Sequence, residues 1–148
     1  HLTASDPEGI GAQNAMHLAI TDAGIKPDEV DYINTHGTST PIGDLAELKA
    51  IKNVFAEHAY NISLTSSKSM TGHLLGGTGA VEAIISILSM QRGVVTPTIN
   101  HEEGDEDSNI DYKLNFTFNQ AQQRNIHYAM SNNFGFGGHN ACLLFKKL

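Results

Sequence analysis

The spacing of apolar residues divides the chain into a short series of helices and strands. Over residues 9–23, Ala12, Ala15, Met16, Ala19, Ile20 and Ala23 fall at helical spacing, and Gly24 stands where a left-handed cap belongs, which predicts a small-residue amphipathic helix. Pro27 breaks the chain, and residues 30–34 form a short, β-prone, turn-bounded run that predicts a strand. A second helix over 44–57 places Leu45, Leu48, Ile51, Val54 and Phe55 on one face. Residues 62–65 read as another strand. Residues 80–91 are apolar nearly all round, broken only by Glu82, the pattern of a helix buried in the middle of a protein. Val94, Val95 and residues 97–100 read as an extended exit, and strands are predicted over 114–118, 126–131 and 141–145. Helices and strands alternate early and strands cluster late, so residues 1–148 read as one α/β or α+β layered domain around a mixed sheet.

Composition narrows the functional classes. The formal charge is 9 − 16 = −7, but Glu102, Glu103, Asp105, Glu106 and Asp107 crowd one six-residue stretch that reads as a solvated loop. An acidic chain without a basic stripe repels phosphate, which argues against nucleic acid as a partner. No apolar run approaches the roughly 18 residues of a membrane span, and no targeting segment precedes the first helix, so a cytoplasmic protein is expected. The single cysteine, Cys142, excludes an internal disulfide and a Cys-based zinc site. The start at His1 instead of Met reads as processing, excision or truncation.

Three segments embed reactive side chains in Gly, Ser and Thr where a strand hands over to the next element: residues 34–44, 66–79 and 132–140. In open α/β sheets, ligands collect outside the carboxyl ends of strands, so all three loops are placed to meet. Taken singly, each has an ordinary explanation. His36 beside Gly37 reads as a structural histidine, Lys68 as a solvated lysine, and the glycines of 135–138 as a tight turn using positive φ. Gly76, Gly77 and Gly79 lack the Gly-Lys-Ser/Thr ending of a phosphate loop, and no pair of histidines has His-Glu-x-x-His spacing.

In combination the motifs are more specific. Tyr-Ile-Asn-Thr-His-Gly-Thr-Ser-Thr-Pro-Ile-Gly-Asp-Leu-Ala-Glu over 32–47, Ser-Lys-Ser-Met-Thr-Gly-His-Leu-Leu-Gly-Gly-Thr-Gly-Ala-Val-Glu over 67–82, and Asn-Phe-Gly-Phe-Gly-Gly-His-Asn over 133–140 resemble the C-terminal half of the elongating type II β-ketoacyl-[acyl carrier protein] synthases. The resemblance spans the chain in order. It implies a thiolase-like α/β/α half-domain with a mixed sheet, one or more strands of which precede this sequence. By the resemblance, His36 and His73 match the two active-site histidines that bind the malonyl thioester and assist decarboxylation. Lys68 matches a buried, ion-paired lysine, Glu82 its acidic partner, and Asp44 and Glu47 further acids of that network. Phe136 matches a gating phenylalanine whose N–H contributes to an oxyanion hole, with Gly135 and Gly137 beside it. No cofactor or metal is implied; the partners are acyl carrier protein bearing malonyl or acyl groups and, in the full-length enzyme, a second copy in a homodimer.

The chemistry gives these roles independent sense. Decarboxylation of a malonyl thioester develops negative charge on the thioester oxygen, and two neutral imidazole N–H donors stabilise it as any oxyanion hole does. His73 precedes a helix whose N-terminal end disfavours an imidazolium. A carboxylate in an apolar helix needs a partner, and Lys68 is the expected one for Glu82. The nucleophilic cysteine of the resemblance has no counterpart here. Cys142 lies in Ala-Cys-Leu-Leu-Phe, a strand-like run in which a buried thiol is inert. The chain alone is therefore expected not to condense anything. Alternatives are a non-catalytic subunit of the chain-length-factor type, a carrier-protein-binding module, or a polyketide synthase ketosynthase domain; such non-catalytic relatives commonly lose the histidines that are present here.

Overall fold

A computed structural model describes residues 5–104 and 106–148; the start at His1 and Asp105 of the acidic run lie outside the described residues. Helix α1 spans Ile10–Ala23, buries Ala12, Met16 and Ile20, and ends on Gly24 at φ 65°. Met16 and Ile20 are at most 5% exposed, and burying each contributes roughly 1.5–3 kcal/mol. Strand β1 (Tyr32–Asn34) follows, then α2 (Pro41–Phe55), β2 (Ser63–Thr65), the single turn α3 (Lys68–Thr71) and α4 (Thr78–Arg92). The α2 helix begins three residues before the predicted start because Pro41, with no N–H to leave unpaired, occupies its first turn.

The last third adds β3 (Val94–Val95) paired with β4 (Gln122–Gln123), then the long antiparallel hairpin of β5 (Tyr128–Gly135) and β6 (His139–Lys146). The main sheet runs β2-β1-β5-β6, with β1 parallel to both β2 and β5 and β6 antiparallel, so the expected mixed α/β sheet is present. Register sets Ile33 beside Leu64 and Met130, which bury into the core under α1 and α2. Tyr32 and Ala129 face the other way, into a smaller cluster with Met90 of α4. The result is three layers, with α1 and α2 on one face and α4 on the other.

Two expectations need correction. Residues 114–118 do not form a strand but an extended segment with isolated bridges at Phe116 and Phe118, because the three-residue β2 beside it offers too short a ladder. Helix α4 is not buried on all sides. Its polar residues Glu82, Ser86 and Ser89 face inward, while Ile84 and Leu88 are 57% and 39% exposed. β5 covers one face, and Ile84 and Leu88 lie on a face left exposed among the described residues.

Candidate active site

Because β1, β2 and β5 are parallel, their carboxyl ends lie on one edge of the sheet, and the three polar segments leave from that edge. His36 lies two residues beyond the end of β1, and the Thr35 amide between them is tied to the Thr65 carbonyl at 2.8 Å. Gly37 sits at φ 35°, where a Cβ would meet Ser66 Cβ and Thr35 Oγ1 at 2.7 Å, so only glycine lets the two loops close. Both histidine loops also hold a non-glycine residue in the left-handed region, Ser39 at φ 61° and Leu75 at φ 52°. Such strain persists where surrounding contacts over-determine the backbone.

The two imidazoles are adjacent, with ring centroids 5.7 Å apart and planes nearly perpendicular. Each has its Nδ1 engaged from the protein side. The Phe134 N–H donates to His36 Nδ1 at 3.3 Å, and the Leu75 N–H donates to His73 Nδ1 at 3.1 Å, with the Thr78 hydroxyl 3.0 Å from the same atom. With Nδ1 accepting, the ring proton of each resides on Nε2. Burial, then the charge of Lys68 and the neighbouring His73, pulls the pKa of His36 down to about 4. It is a neutral donor at physiological pH. His73 stands at the N-terminal end of α4, where unpaired backbone N–H groups supply positive potential.

The acids divide into two arrangements where a single network was expected. Lys68 Nζ lies 2.5 Å from Glu82 Oε1, with side chains 5% and 1% exposed, and Asn133 Nδ2 donates to Glu82 Oε2 at 3.1 Å. Burial nonetheless pushes the Glu82 carboxyl above its usual range, more than Lys68 draws it down. Glu47 belongs elsewhere: it accepts the His36 and Gly37 N–H groups, each at 2.9 Å, and Asn132 Nδ2 at 3.0 Å. Burial raises its pKa too. Asp44, in the first turn of α2, is also raised by burial, against the pull of the amides of Thr40, Ser39 and Thr38. Its Oδ1 is buried without a hydrogen-bond partner among the described residues. Asp44, Glu47, Lys68 and His73 line one end of a cleft of about 630 Å³, whose other end is walled by the stacked rings of His101, Phe116 and Phe118.

The glycine-rich turn joins β5 to β6, with Gly137 and Gly138 at φ 81° and 82°. Gly135 ends β5, and Phe136 is 76% exposed in the turn. The aromatic that touches His36 is instead Phe134, with ring centroids 5.5 Å apart. Sequence reasoning passed over Phe134, Asn132, Asn133 and Thr78. Phe134 is the earlier aromatic of Phe-Gly-Phe, and the asparagine pair extends the polar run that Ser131 begins within β5, which is the signal that marks it. Cys142 is half-buried on β6; its thiol donates to Asn132 Oδ1 at 2.9 Å and burial raises its pKa. Among the described residues no cluster of three or more His, Cys, Asp or Glu could hold a metal ion. No helix of the described residues is long and apolar enough to cross a membrane.

Residues 1–102 match the family model described as beta-ketoacyl synthase, C-terminal domain. Over 147 residues the chain is 54% identical to 3-oxoacyl-[acyl-carrier-protein] synthase 2 of Staphylococcus aureus strain COL, covering 99% of this chain and 34% of that protein. The chain thus spans about a third of the length of the curated relatives it matches. Among solved structures, a type II PKS acyl-carrier protein in complex with its ketosynthase bound to the hexaketide aligns with TM-score 0.93 at 33% identity, over 100% of this chain and 35% of that one. A beta-ketoacyl synthase from Burkholderia phymatum STM815 aligns with TM-score 0.89 at 36% identity, over 100% of this chain and 34% of that one.

Proposed function

Because the chain belongs to the beta-ketoacyl synthase family, through its C-terminal domain, we propose that it is the carboxyl-terminal part of a 3-oxoacyl-[acyl carrier protein] synthase. That enzyme is an acyltransferase that condenses malonyl thioester with an acyl-enzyme in fatty acid elongation. The observation that carries the proposal is the histidine pair, two rings 5.7 Å apart whose Nδ1 atoms both accept from backbone N–H groups. That leaves two Nε2–H donors for one oxygen.

In the reaction, the C–C bond between the malonyl carboxylate and the α-carbon breaks. Its electron pair becomes the enolate of the thioester, and CO2 leaves. The enolate carbon then attacks the carbonyl of an acyl group held as a thioester on a cysteine of the remaining two thirds. The tetrahedral intermediate collapses with release of that thiolate. The residues of this chain serve the first step: His36 and His73 donate N–H bonds to the oxygen as its charge grows, and His36, neutral at physiological pH, does so without protonating the enolate. Lys68 and Glu82 hold the base of the His73 segment, and Glu47 holds the backbone at His36. Asp44 lines the approach, and Gly135, Phe136 and Gly137 form an exposed, glycine-bearing turn suited to a gate.

The uncovered apolar face of α4 supports a chain completed by further polypeptide. Acyl carrier protein is the partner that delivers the malonyl and acyl groups, and the complete enzyme works as a cytoplasmic homodimer. The test is made on the full-length protein. His36→Ala and His73→Ala should abolish release of CO2 from malonyl thioester while acylation of the nucleophilic cysteine remains measurable; equal loss of both steps contradicts the assignment.

A further inference from the structure

Successive residues of a strand point to opposite faces of its sheet, and β5 places an asparagine on each face at the same level. Asn132, fully buried, points toward α1 and α2: its Nδ2 donates to Glu47 Oε1 at 3.0 Å and lies 3.7 Å from Met16 Sδ, while its Oδ1 accepts the Cys142 thiol at 2.9 Å. Asn133 points toward α4, where its Nδ2 donates to Glu82 Oε2 at 3.1 Å. Each carboxylate so addressed holds one histidine-bearing loop. Glu47 takes the His36 and Gly37 N–H groups, and Glu82 takes the ammonium of Lys68 at the head of the segment that leads to His73. One residue further along β5, the Phe134 N–H reaches His36 itself.

We propose that Asn132 and Asn133 are paired positioning residues, through which one strand fixes both histidine loops relative to each other. The proposal rests on the reading of the site as a malonyl-decarboxylating centre. The amide suits this task because it donates to a buried carboxylate without adding charge. Its orientation at Asn132 is fixed by chemistry: the Cys142 thiol has a proton to give, so the amide oxygen faces it and the amide nitrogen faces Glu47. Glu47 forms no ion pair among the described residues, so its three N–H donors are what hold it. Glu82 has Lys68 in addition. The two asparagines therefore differ in weight, and Asn132 carries more.

That difference is testable in the full-length polypeptide that carries this chain, with malonyl-pantetheine as the probe thioester. Asn132→Asp keeps the shape and, when protonated, still donates to Glu47. The groups around it are Glu47 with Asp44 behind it on α2 and Cys142 on β6; α1 contributes the neutral Met16. As pH rises the new carboxyl ionises against Glu47, and no cation relieves the repulsion. Relative to the unaltered protein, its decarboxylation rate should fall roughly tenfold or more between about pH 5 and about pH 8, with KM moved less than about twofold, as expected for loss of a hydrogen bond to a charged partner. Asn133→Asp faces Glu82, Lys68 and, further off, His73, so its profile should be shallower. A profile for Asn132→Asp parallel to the unaltered protein overturns the proposal, as does a lowered melting temperature with an unmoved rate. Where Asn132→Asp does not fold, Cys142→Ala frees the amide to turn, and a rate drop at constant KM supports the proposal while an unmoved rate overturns it. If the unaltered protein releases no CO2, the catalytic reading fails. Positioning is then read from the 15N resonances of the His36 ring, whose movement in Asn132→Asp supports it and whose constancy overturns it.

Discussion

Replacing Lys68 by methionine keeps an unbranched side chain of similar length and removes the ammonium from Glu82. The carboxylate is then left at 1% exposure with Asn133 as its remaining side-chain donor. Breaking a buried ion pair from one side costs about 3–5 kcal/mol, most of it the penalty of an uncompensated charge. The environment of Glu82 already works against ionisation, since burial holds its carboxyl above the usual range even with Lys68 present. Lys68→Met should therefore lower the stability of the full-length protein by about 3–5 kcal/mol in denaturant titrations at neutral pH. Glu82→Gln alone should cost a similar amount, by stranding the lysine. The double variant should cost less than either, giving a coupling energy of at least about 1 kcal/mol in a double-mutant cycle. The pH dependence has a definite sign. Without Lys68 the folded-state pKa of Glu82 rises further above its unfolded value, so the penalty of Lys68→Met is largest where Glu82 must ionise. It shrinks as pH falls through that raised pKa, because a protonated carboxyl needs no cation. A Lys68→Met cost below about 1 kcal/mol, additivity of the two single variants, or a penalty that grows in acid would each refute this account of the pair.

Other outcomes follow from single positions. Gly37→Ala must fit a methyl group 2.7 Å from Ser66 Cβ and Thr35 Oγ1 at φ 35°; it should lower stability by roughly 1–3 kcal/mol and depress decarboxylation together with it. Phe134→Ala, which removes a ring packed on His36 and on the core, should cost about 2 kcal/mol, whereas Phe136→Ala at 76% exposure should cost under about 0.5 kcal/mol and show its effect in the order of the acyl and malonyl reactions. For His36, the unfolded chain takes up a proton near pH 6.5 that the folded protein refuses until about pH 4. Its contribution to stability is thus intact above 6.5 and lost as pH falls toward 4, and an NMR titration of the ring should show no protonation at pH 5.5.

The sequence made the site more legible than the packing around it. Asn34, Thr65 and Gly135 end the parallel strands β1, β2 and β5, so the loops that follow share an edge, and the reactive residues near it are visible as glycine-embedded polar runs. Periodicity could not tell which side of α4 is covered, because a helix apolar nearly all round carries no preferred face. The burial of Glu82, Ser86 and Ser89 follows from Lys68 and β5, which lie far from them in sequence. Residues 114–118 alternate as a strand does, yet whether they form one depends on the length of β2, a property of a different segment. Asn132 and Asn133 illustrate the same limit: their opposite orientations follow from strand geometry, but their carboxylate partners are set by α2 and α4.

The thiol that leans on Asn132 also determines how this molecule answers chemical probes. Alkylating reagents and epoxide-type electrophiles consume thiolate, and Cys142 has its proton engaged by an amide oxygen and its ionisation opposed by burial and by Glu47. At neutral pH these 148 residues should therefore add no background to a labelling experiment. Every mole of reagent bound by a longer polypeptide that includes them would report on sulfur supplied from elsewhere, which makes labelling stoichiometry a direct count of nucleophiles.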